Sequence, residues 1–389
     1  MRILILTHSF YPNWGGTESY VSSLAKFLSR QNTSVTVYTY GDSSKTCDSE
    51  FQFNILRNRF LSTSADPGFK YHLIFGIQQA ADIYCLNKIK KKFDLMHVQG
   101  LTRGFEPSFR KIELGIRFNG WKYVKGKPTV ITFHEQINNN KISRYIDDAK
   151  NCNAIICNNK ESALLLSNAM GKQVFYLPNG VDLEIFNPDL YKENQKNKPF
   201  TVLCPSRLVE AKGILDLVKA ADILVNEQKL HNLQFLLMDG GNFNPGYQDT
   251  AFVSQLKEEI LYLHLEKFFN FLNGRPYYLM PQLYSQSDIT VLPSYTEGFG
   301  LPVIEAMAMK QPVIATSVGD IPKIILDGQD GLTVPTHNPA KLADSIMLLY
   351  SDSKMSRKLG VAGRAKVQDR YDLSKISRKV RAIYESVLA

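Results

Sequence analysis

The sequence predicts an α/β chain built as two doubly wound domains, each a parallel sheet covered by helices. Three observations point to this. Short apolar runs alternate with longer helical patterns from the first residue onward, the pattern of a sheet whose strands are joined by helical crossovers. The alternation breaks once, at the polar, proline-bounded stretch 187–199, and then restarts. Finally, 389 residues with 44% hydrophobic content suit two domains of ordinary size with substantial cores.

Taken in order, Ile3–Thr7 reads as a strand, Thr17–Arg30 as a helix and Val35–Tyr40 as a strand. Tyr71–Lys92 is largely helical. Leu95–Gln99, Thr129–Phe133, Ala154–Cys157 and Val174–Leu177 are further short apolar strands. Beyond the polar stretch, Thr201–Pro205, Leu233–Met238, Phe268–Leu272, Ile289–Leu292, Val313–Ala315 and Leu332–Val334 read as strands, and 340–388 as two or three helices. Ligands of doubly wound sheets bind beyond the carboxyl ends of strands. The loops Thr7–Gly16 and Ser206–Gly213 and the turn after Pro293 all follow strands, so all are expected to face one cleft between the domains.

Composition narrows the function. The formal charge is +9, and residues 1–195 hold most of it, with 24 Lys/Arg against 17 Asp/Glu. Much of that excess lies in 86–127, with 11 basic and 3 acidic residues, among them Lys88, Lys90–Lys92, Arg110, Lys111, Lys122, Lys125 and Lys127. Such a segment suits a nucleic acid, a phosphorylated substrate or the anionic surface of a membrane, and equally a helix packed on the sheet with a solvated face. Five cysteines, none in a C-x-x-C pair, suit buried thiols in a reducing compartment. Ile3–Leu6 is too short for a secretory leader, and no apolar run reaches the length of a membrane span. A cytoplasmic protein is expected, soluble or peripheral on the inner face of the membrane.

The chemistry concentrates in Ser294–Met309, Ser-Tyr-Thr-Glu-Gly-Phe-Gly-Leu-Pro-Val-Ile-Glu-Ala-Met-Ala-Met. An apolar strand runs into a glycine turn and then a helix with Pro302 in its first turn, where a missing amide proton costs nothing. The amides of Phe299, Gly300 and Leu301 are then free to bind an anion, and Gly298 and Gly300 allow close approach. Glu297 and Glu305 flank the turn. Carboxylates repel phosphate but accept hydrogen bonds from hydroxyls, so a sugar on one side and a ribose on the other are expected. Arg207 and Lys212, in the loop after Thr201–Pro205, are placed for a diphosphate. Gly15 and Gly16 at a helix entrance could present amides to a phosphate or an acceptor, but the loop lacks G-x-G-x-x-G, so no dinucleotide site is indicated. There is no Asp-x-Asp metal motif; cations and helix amides can replace a metal where phosphate charge develops.

The run Glu-Gly-Phe-Gly-Leu-Pro-x-x-Glu-Ala-Met-Ala resembles the E-x7-E motif of retaining family-4 glycosyltransferases with the GT-B fold. The likeness extends over most of the chain. It implies transfer of a sugar from a UDP- or GDP-linked donor to a glycan or lipid-linked acceptor, with retention, without a cofactor or metal, in cell-envelope polysaccharide or glycolipid synthesis. It implies an acceptor-binding domain at 1–186, a linker at 187–199, a donor-binding domain at 200–372, and a last helix, about 373–389, packed back on the first domain. Residue by residue, Arg207 and Lys212 match the pair on the leaving diphosphate. Glu297 matches the group on the sugar, and Glu305 the group on the ribose. His134, in Thr132-Phe-His-Glu135, matches a strand-end histidine beside the transferred sugar. Gly15 and Gly16 close a Pro-x-x-Gly-Gly loop that resembles a family loop facing the donor diphosphate. Asn179, in Asn-Gly-Val-Asp182, matches a turn ahead of the linker and is assigned with Gly15 to the acceptor. Gly274 and Arg275 follow a strand where family backbone groups meet the nucleobase. The match is imperfect at Asp239 (in Asp-Gly240-Gly241), at Asp320 and at Lys310, where glycine is usual. Two other classes stay open: a catalytically silent scaffold of the same fold, and a basic nucleic-acid binder.

Overall fold

The computed structural model describes residues 1–7, 10–11, 15–40, 51–58, 70–100, 120–191, 198–239 and 250–389. The chain divides into two units, Met1–Asn179 with Leu373–Ala389, and Gly180–Asp372.

Among the described residues, the first unit holds seven parallel strands: β1 (Arg2–Thr7), β2 (Ser34–Tyr40), β3 (Asn54–Asn58), β4 (Leu95–Gln99), β5 (Thr129–Phe133), β6 (Ala154–Cys157) and β7 (Phe175–Tyr176), in the order β3-β2-β1-β4-β5-β6-β7. The second holds β8 (Phe200–Cys204), β9 (Leu233–Asp239), β10 (Phe269–Asn273), β11 (Ile289–Leu292), β12 (Val313–Thr316) and β13 (Leu332–Val334), in the order β10-β9-β8-β11-β12-β13, again all parallel. In each sheet the winding reverses beside the first strand, next to β4 in one and β11 in the other. Loops at that point diverge and leave a crevice at the strand ends. The strands of both sheet centres are apolar because helices cover both faces; β4, β5, β6 and β11 are buried at every position.

The polar stretch 187–199 does not mark the division. The chain changes unit between Asn179 and Gly180, because the residues that follow already belong to the second core. Val181 and Phe186 are fully buried there among Tyr284, Ile304 and Tyr371, and the Val181 amide donates to the Tyr371 carbonyl. Residues 192–197 of that stretch lie outside the described residues. At the other end, helix Leu373–Leu388 joins the first unit. Its Leu373, Ile376, Val380 and Tyr384 pack in one core with Val21, Leu24 and Leu28 of helix Gly16–Ser29.

One strand was not evident in the sequence. β3, Asn-Ile-Leu-Arg-Asn, is a polar edge strand with only Asn58 fully buried, so it carries little apolar signal. Of the basic segment 86–127, residues 101–119 lie outside the described residues. Its described ends pack on the sheet: Leu86, Phe93, Trp121 and Val124 are in the core. Lys127 donates to the Phe93 carbonyl (2.6 Å), Lys90 to the Lys125 carbonyl (3.1 Å), and Lys122 pairs with Asp147 at 2.8 Å and with Asp148. Among the described residues, no helix is long and apolar enough to cross a membrane, and Cys85, Cys152, Cys157 and Cys204 are all free thiols.

Candidate active site

In the second unit, β11 ends at Leu292 and the chain turns through Ser294–Gly300 into helix Leu301–Ala308. Gly300 caps this helix at φ +85°, a left-handed conformation that glycine adopts without a Cβ clash, and Pro302 sits in its first turn. Among the described residues no acceptor takes the amides of Phe299, Gly300 or Leu301. The turn is held from several sides. Thr316 at the end of β12 donates to the Ser294 carbonyl at 2.5 Å, and the Asp320 amide donates to the Gly298 carbonyl at 3.1 Å. Gly319 lies so close that an added Cβ would stand 2.1 Å from the Glu297 carbonyl oxygen. The Phe299 side chain is in the core, edge-on to Tyr371, so only its backbone belongs to the turn.

The loop after β8 is stitched to this turn. The amides of Tyr295 and Thr296 both donate to the Ala211 carbonyl, at 2.9 and 3.4 Å. Gly213, at φ +63°, passes so near Pro293 that a Cβ would lie 2.0 Å from its carbonyl oxygen. The result places Lys212 Nζ 2.6 Å from Glu297 Oε2, with both side chains largely buried. Ser294 Oγ donates to the same carboxylate oxygen at 3.3 Å, and the Gly298 amide to the other at 3.3 Å. Arg207 opens the same loop and is exposed.

Glu305, one turn into the helix, is buried, and Tyr284 Oη donates to its Oε2 at 2.8 Å. Burial pushes its carboxyl up to about 7, against the lowering influence of the Tyr284 hydroxyl. Gly274 and Arg275 follow β10, on the far side of β9 and β8 from β11; Gly274 is buried and Arg275 half-buried. Gly240 and Gly241 lie outside the described residues. Asp320, where glycine is usual, has a negative φ of −86° and pairs with Lys323 at 2.7 Å; the left-handed position in this turn is Gly319. Lys310, also where glycine is usual, does adopt the left-handed region, at φ +59°.

In the first unit, His134 follows β5 directly. Its Nε2 is 2.8 Å from Gln99 Oε1, and its Nδ1 is 2.7 Å from Asn158 Nδ2. Asn158 Nδ2 also donates to Asn179 Oδ1, which ties the buried Asn179 into the same cluster. Tyr20 meets the His134 ring edge-on, with centroids 5.2 Å apart. Beneath lies His97 on β4, wholly buried, with Nδ1 2.5 Å from Tyr384 Oη and Nε2 2.7 Å from Thr132 Oγ1. Desolvation lowers the His134 imidazole to about 4 and that of His97 to about 3. Both ring nitrogens of His134 are therefore engaged inside its own unit. Gly15 and Gly16 are exposed at the entrance of helix Gly16–Ser29, whose first turn carries Glu18.

Of the expected residues, Lys212, Glu297, Gly298–Leu301 and Glu305 lie together in one unit, and His134 with Asn179 in the other; Gly274 and Arg275 stand apart at the end of β10, Gly15 and Gly16 at the entrance of helix Gly16–Ser29, and Arg207 is exposed in its loop. Sequence reasoning missed Gln99, His97, Asn158, Tyr20 and Tyr284. Gln99 and Asn158 carried a usable signal, since polar residues at the carboxyl ends of parallel strands converge on the crevice.

Two all-parallel doubly wound sheets in one chain, with a strand–glycine turn–helix at the winding reversal of the second, define a GT-B protein. Residues 14–185 match the family described as Glycosyltransferase Family 4, and residues 187–366 the family described as Glycosyl transferases group 1. The chain belongs to the family-4 glycosyltransferases of the GT-B fold. Among solved structures of the same fold are sucrose-phosphate synthase from Thermosynechococcus elongatus (TM-score 0.77, 21% identity, 99% of this chain and 98% of that one) and HepE from Anabaena in complex with UDP-glucose (TM-score 0.76, 20% identity, 99% and 100%). Among curated relatives, the D-inositol 3-phosphate glycosyltransferase of Paenarthrobacter aurescens is 29% identical over 47% of this chain and 44% of its own length. That of Mycobacteroides abscessus is 31% identical over 49% and 43%. The chain spans less than half the length of these curated relatives.

Proposed function

We propose that this chain is a retaining glycosyltransferase that moves a sugar from a UDP- or GDP-linked donor to a glycan or lipid-linked acceptor of the cell envelope, without a metal. One observation carries the reading: Lys212 is held at the Glu297–Leu301 turn, where three backbone amides have no acceptor among the described residues. An ammonium has three protons. Glu297 takes one, leaving two for oxygens of a departing diphosphate, and the amides of Phe299, Gly300 and Leu301 add fixed donors that need no reorganisation as charge develops. Arg207 supplies a second cation. Glu297, anchored by Lys212, Ser294 and the Gly298 amide, accepts from sugar hydroxyls, and Glu305 accepts from the ribose. Gly274 and Arg275 are assigned to the nucleobase, Gly16 to the donor diphosphate, His134 to the transferred sugar, and Gly15 and Asn179 to the acceptor.

In the reaction, the bond between the anomeric carbon and the diphosphate oxygen breaks. The acceptor oxygen bonds to the same face of the anomeric carbon, and the acceptor proton passes to the leaving diphosphate oxygen. A phosphorylated polyol is a reasonable first acceptor to assay, because the curated relatives are named for inositol 3-phosphate and the first half of this chain is basic. The proposed location is the cytoplasmic face of the membrane, where a lipid-linked acceptor would be met.

The experiment is a thermal-shift screen of UDP- and GDP-sugars, followed by NMR of the anomeric proton in the product of any stabilising donor. A donor that raises the melting temperature in the intact protein but not in Lys212→Met, and yields a product of unchanged anomeric configuration, supports the reading. Failure of every nucleotide-sugar to bind or to be hydrolysed would overturn it in favour of a silent GT-B scaffold.

A further inference from the structure

The His134 cluster constrains its own protonation. Gln99 Oε1, 2.8 Å from His134 Nε2, is a carbonyl oxygen and only accepts, so Nε2 must carry the proton. Asn158 Nδ2, 2.7 Å from His134 Nδ1, is an amide nitrogen and only donates, which favours an Nδ1 that offers its lone pair; the Asn179 side chain acts in the other direction, raising the imidazole. The Asn158 amide is oriented in turn, because the same Nδ2 donates to Asn179 Oδ1. Gln99 turns its Nε2 to the His97 ring, 3.1 Å from both ring nitrogens, which leaves its Oε1 toward His134; His97 is held by Thr132 and by Tyr384 of helix Leu373–Leu388. Gln99, His97, Thr132 and Asn158 are all at most 1% exposed, so water does not compete for these bonds.

We propose that Gln99 is a positioning residue which fixes His134 as a neutral imidazole with its proton on Nε2. The carboxamide holds the ring against β4, and the His97–Tyr384 pair behind it connects the last helix of the chain to His134. This rests on the assignment of His134 to the sugar given above, but the tautomer itself is independent of any activity. Among the described residues, the titratable groups facing His134 are His97 from β4 and Tyr20 from helix Gly16–Ser29, both buried. Tyr384 stands behind His97, and the neighbouring Glu135 accepts from Tyr145 at 3.1 Å. The lowered imidazole of His134 agrees with a ring that stays neutral at pH 7.

The test is ¹⁵N NMR of the histidine-labelled full chain at pH 7, with the His134 signal identified by its loss in His134→Ala. The wild-type protein is expected to show a protonated Nε2 and a bare Nδ1. In Gln99→Met, of similar size but without the acceptor, that signature should give way to a tautomer mixture. In Gln99→Glu, the carboxylate should move the His134 titration upward from about 4. If the chain transfers sugar, Gln99→Met should lower kcat about 10–100-fold, as for a misplaced catalytic group, while KM for the donor changes less than about twofold. A wild-type spectrum with the proton on Nδ1 overturns the proposal, even if both variants fail to fold. So does a Gln99→Met protein that folds and keeps an unmixed Nε2–H signal. If the tautomer follows Gln99 but no nucleotide-sugar binds, the positioning stands and the transferase reading falls.

Discussion

Lys212 Nζ and Glu297 Oε2 are 2.6 Å apart although the residues are separated by 85 positions, and each side chain is only 16% exposed. Two loops from adjacent strands, β8 and β11, bring them together, and the Ala211 carbonyl binds those loops by backbone. The pair joins the cation proposed for the diphosphate to the carboxylate proposed for the sugar.

Removing one partner leaves the other charge uncompensated in a largely dry place. Lys212→Met and Glu297→Gln should each lower the melting temperature, and the double variant should lower it by less than the sum. A coupling of about 0.5–3 kcal/mol is expected, read by calorimetry on the four proteins. Lys212→Met should also reduce kcat by about 10²–10³, the scale for losing a donor to developing oxyanion charge.

Glu305 should make the second unit less stable as pH rises. Its ordinary value is 4.5, and burial raises it to about 7 in the folded protein. Between these values the folded state holds a proton that the unfolded state has released, so stability falls as pH rises from 4.5 to 7 and is level above. The loss is of order 3 kcal/mol. Glu305→Gln, which keeps an acceptor for Tyr284, should flatten that slope in melting temperatures taken across about pH 4.5–7.5. If the variant also retained full affinity for the donor nucleotide, the ribose role would be wrong.

The first unit should respond in the opposite sense. His97 and His134 titrate near 6.5 when unfolded, but only at about 3 and about 4 when folded. Below 6.5 the unfolded state gains protons that the folded state refuses, so stability present above 6.5 is lost as pH falls toward 4. Hydrogen exchange, corrected for intrinsic rates, should show β4 and β5 amides less protected at about pH 5 than at about pH 7. His97→Gln should reduce that difference.

Their surroundings, not their backbone conformation, separate two glycines of similar φ. Gly319→Ala meets the Glu297 carbonyl at 2.1 Å at φ +56°, whereas Gly328→Ala, at φ +70°, has nothing within 4 Å. Gly328→Ala should cost about 1–2 kcal/mol, the left-handed penalty alone, and Gly319→Ala distinctly more, with weakened donor binding. Conversely Lys310→Gly, at an exposed left-handed position, should stabilise the protein by about 1 kcal/mol in thermal melts.

Much of this was legible in the sequence because it is written in local patterns. Apolar runs at strand length, helical periods between them and Gly-Phe-Gly-Leu-Pro at a strand end depend on residues a few positions apart, and twelve of the thirteen strands among the described residues are visible that way. The exception, β3, is an edge strand that buries too little to need an apolar run. Tertiary structure decided what depends on distant residues meeting. It set the change of unit at Asn179, where Val181 finds Tyr371. It also paired Lys212 with Glu297, buried Glu305 under Tyr284, and enclosed His134 between Gln99 and Asn158. Propensity and periodicity act along the chain, whereas desolvation and hydrogen-bond complementarity act through space.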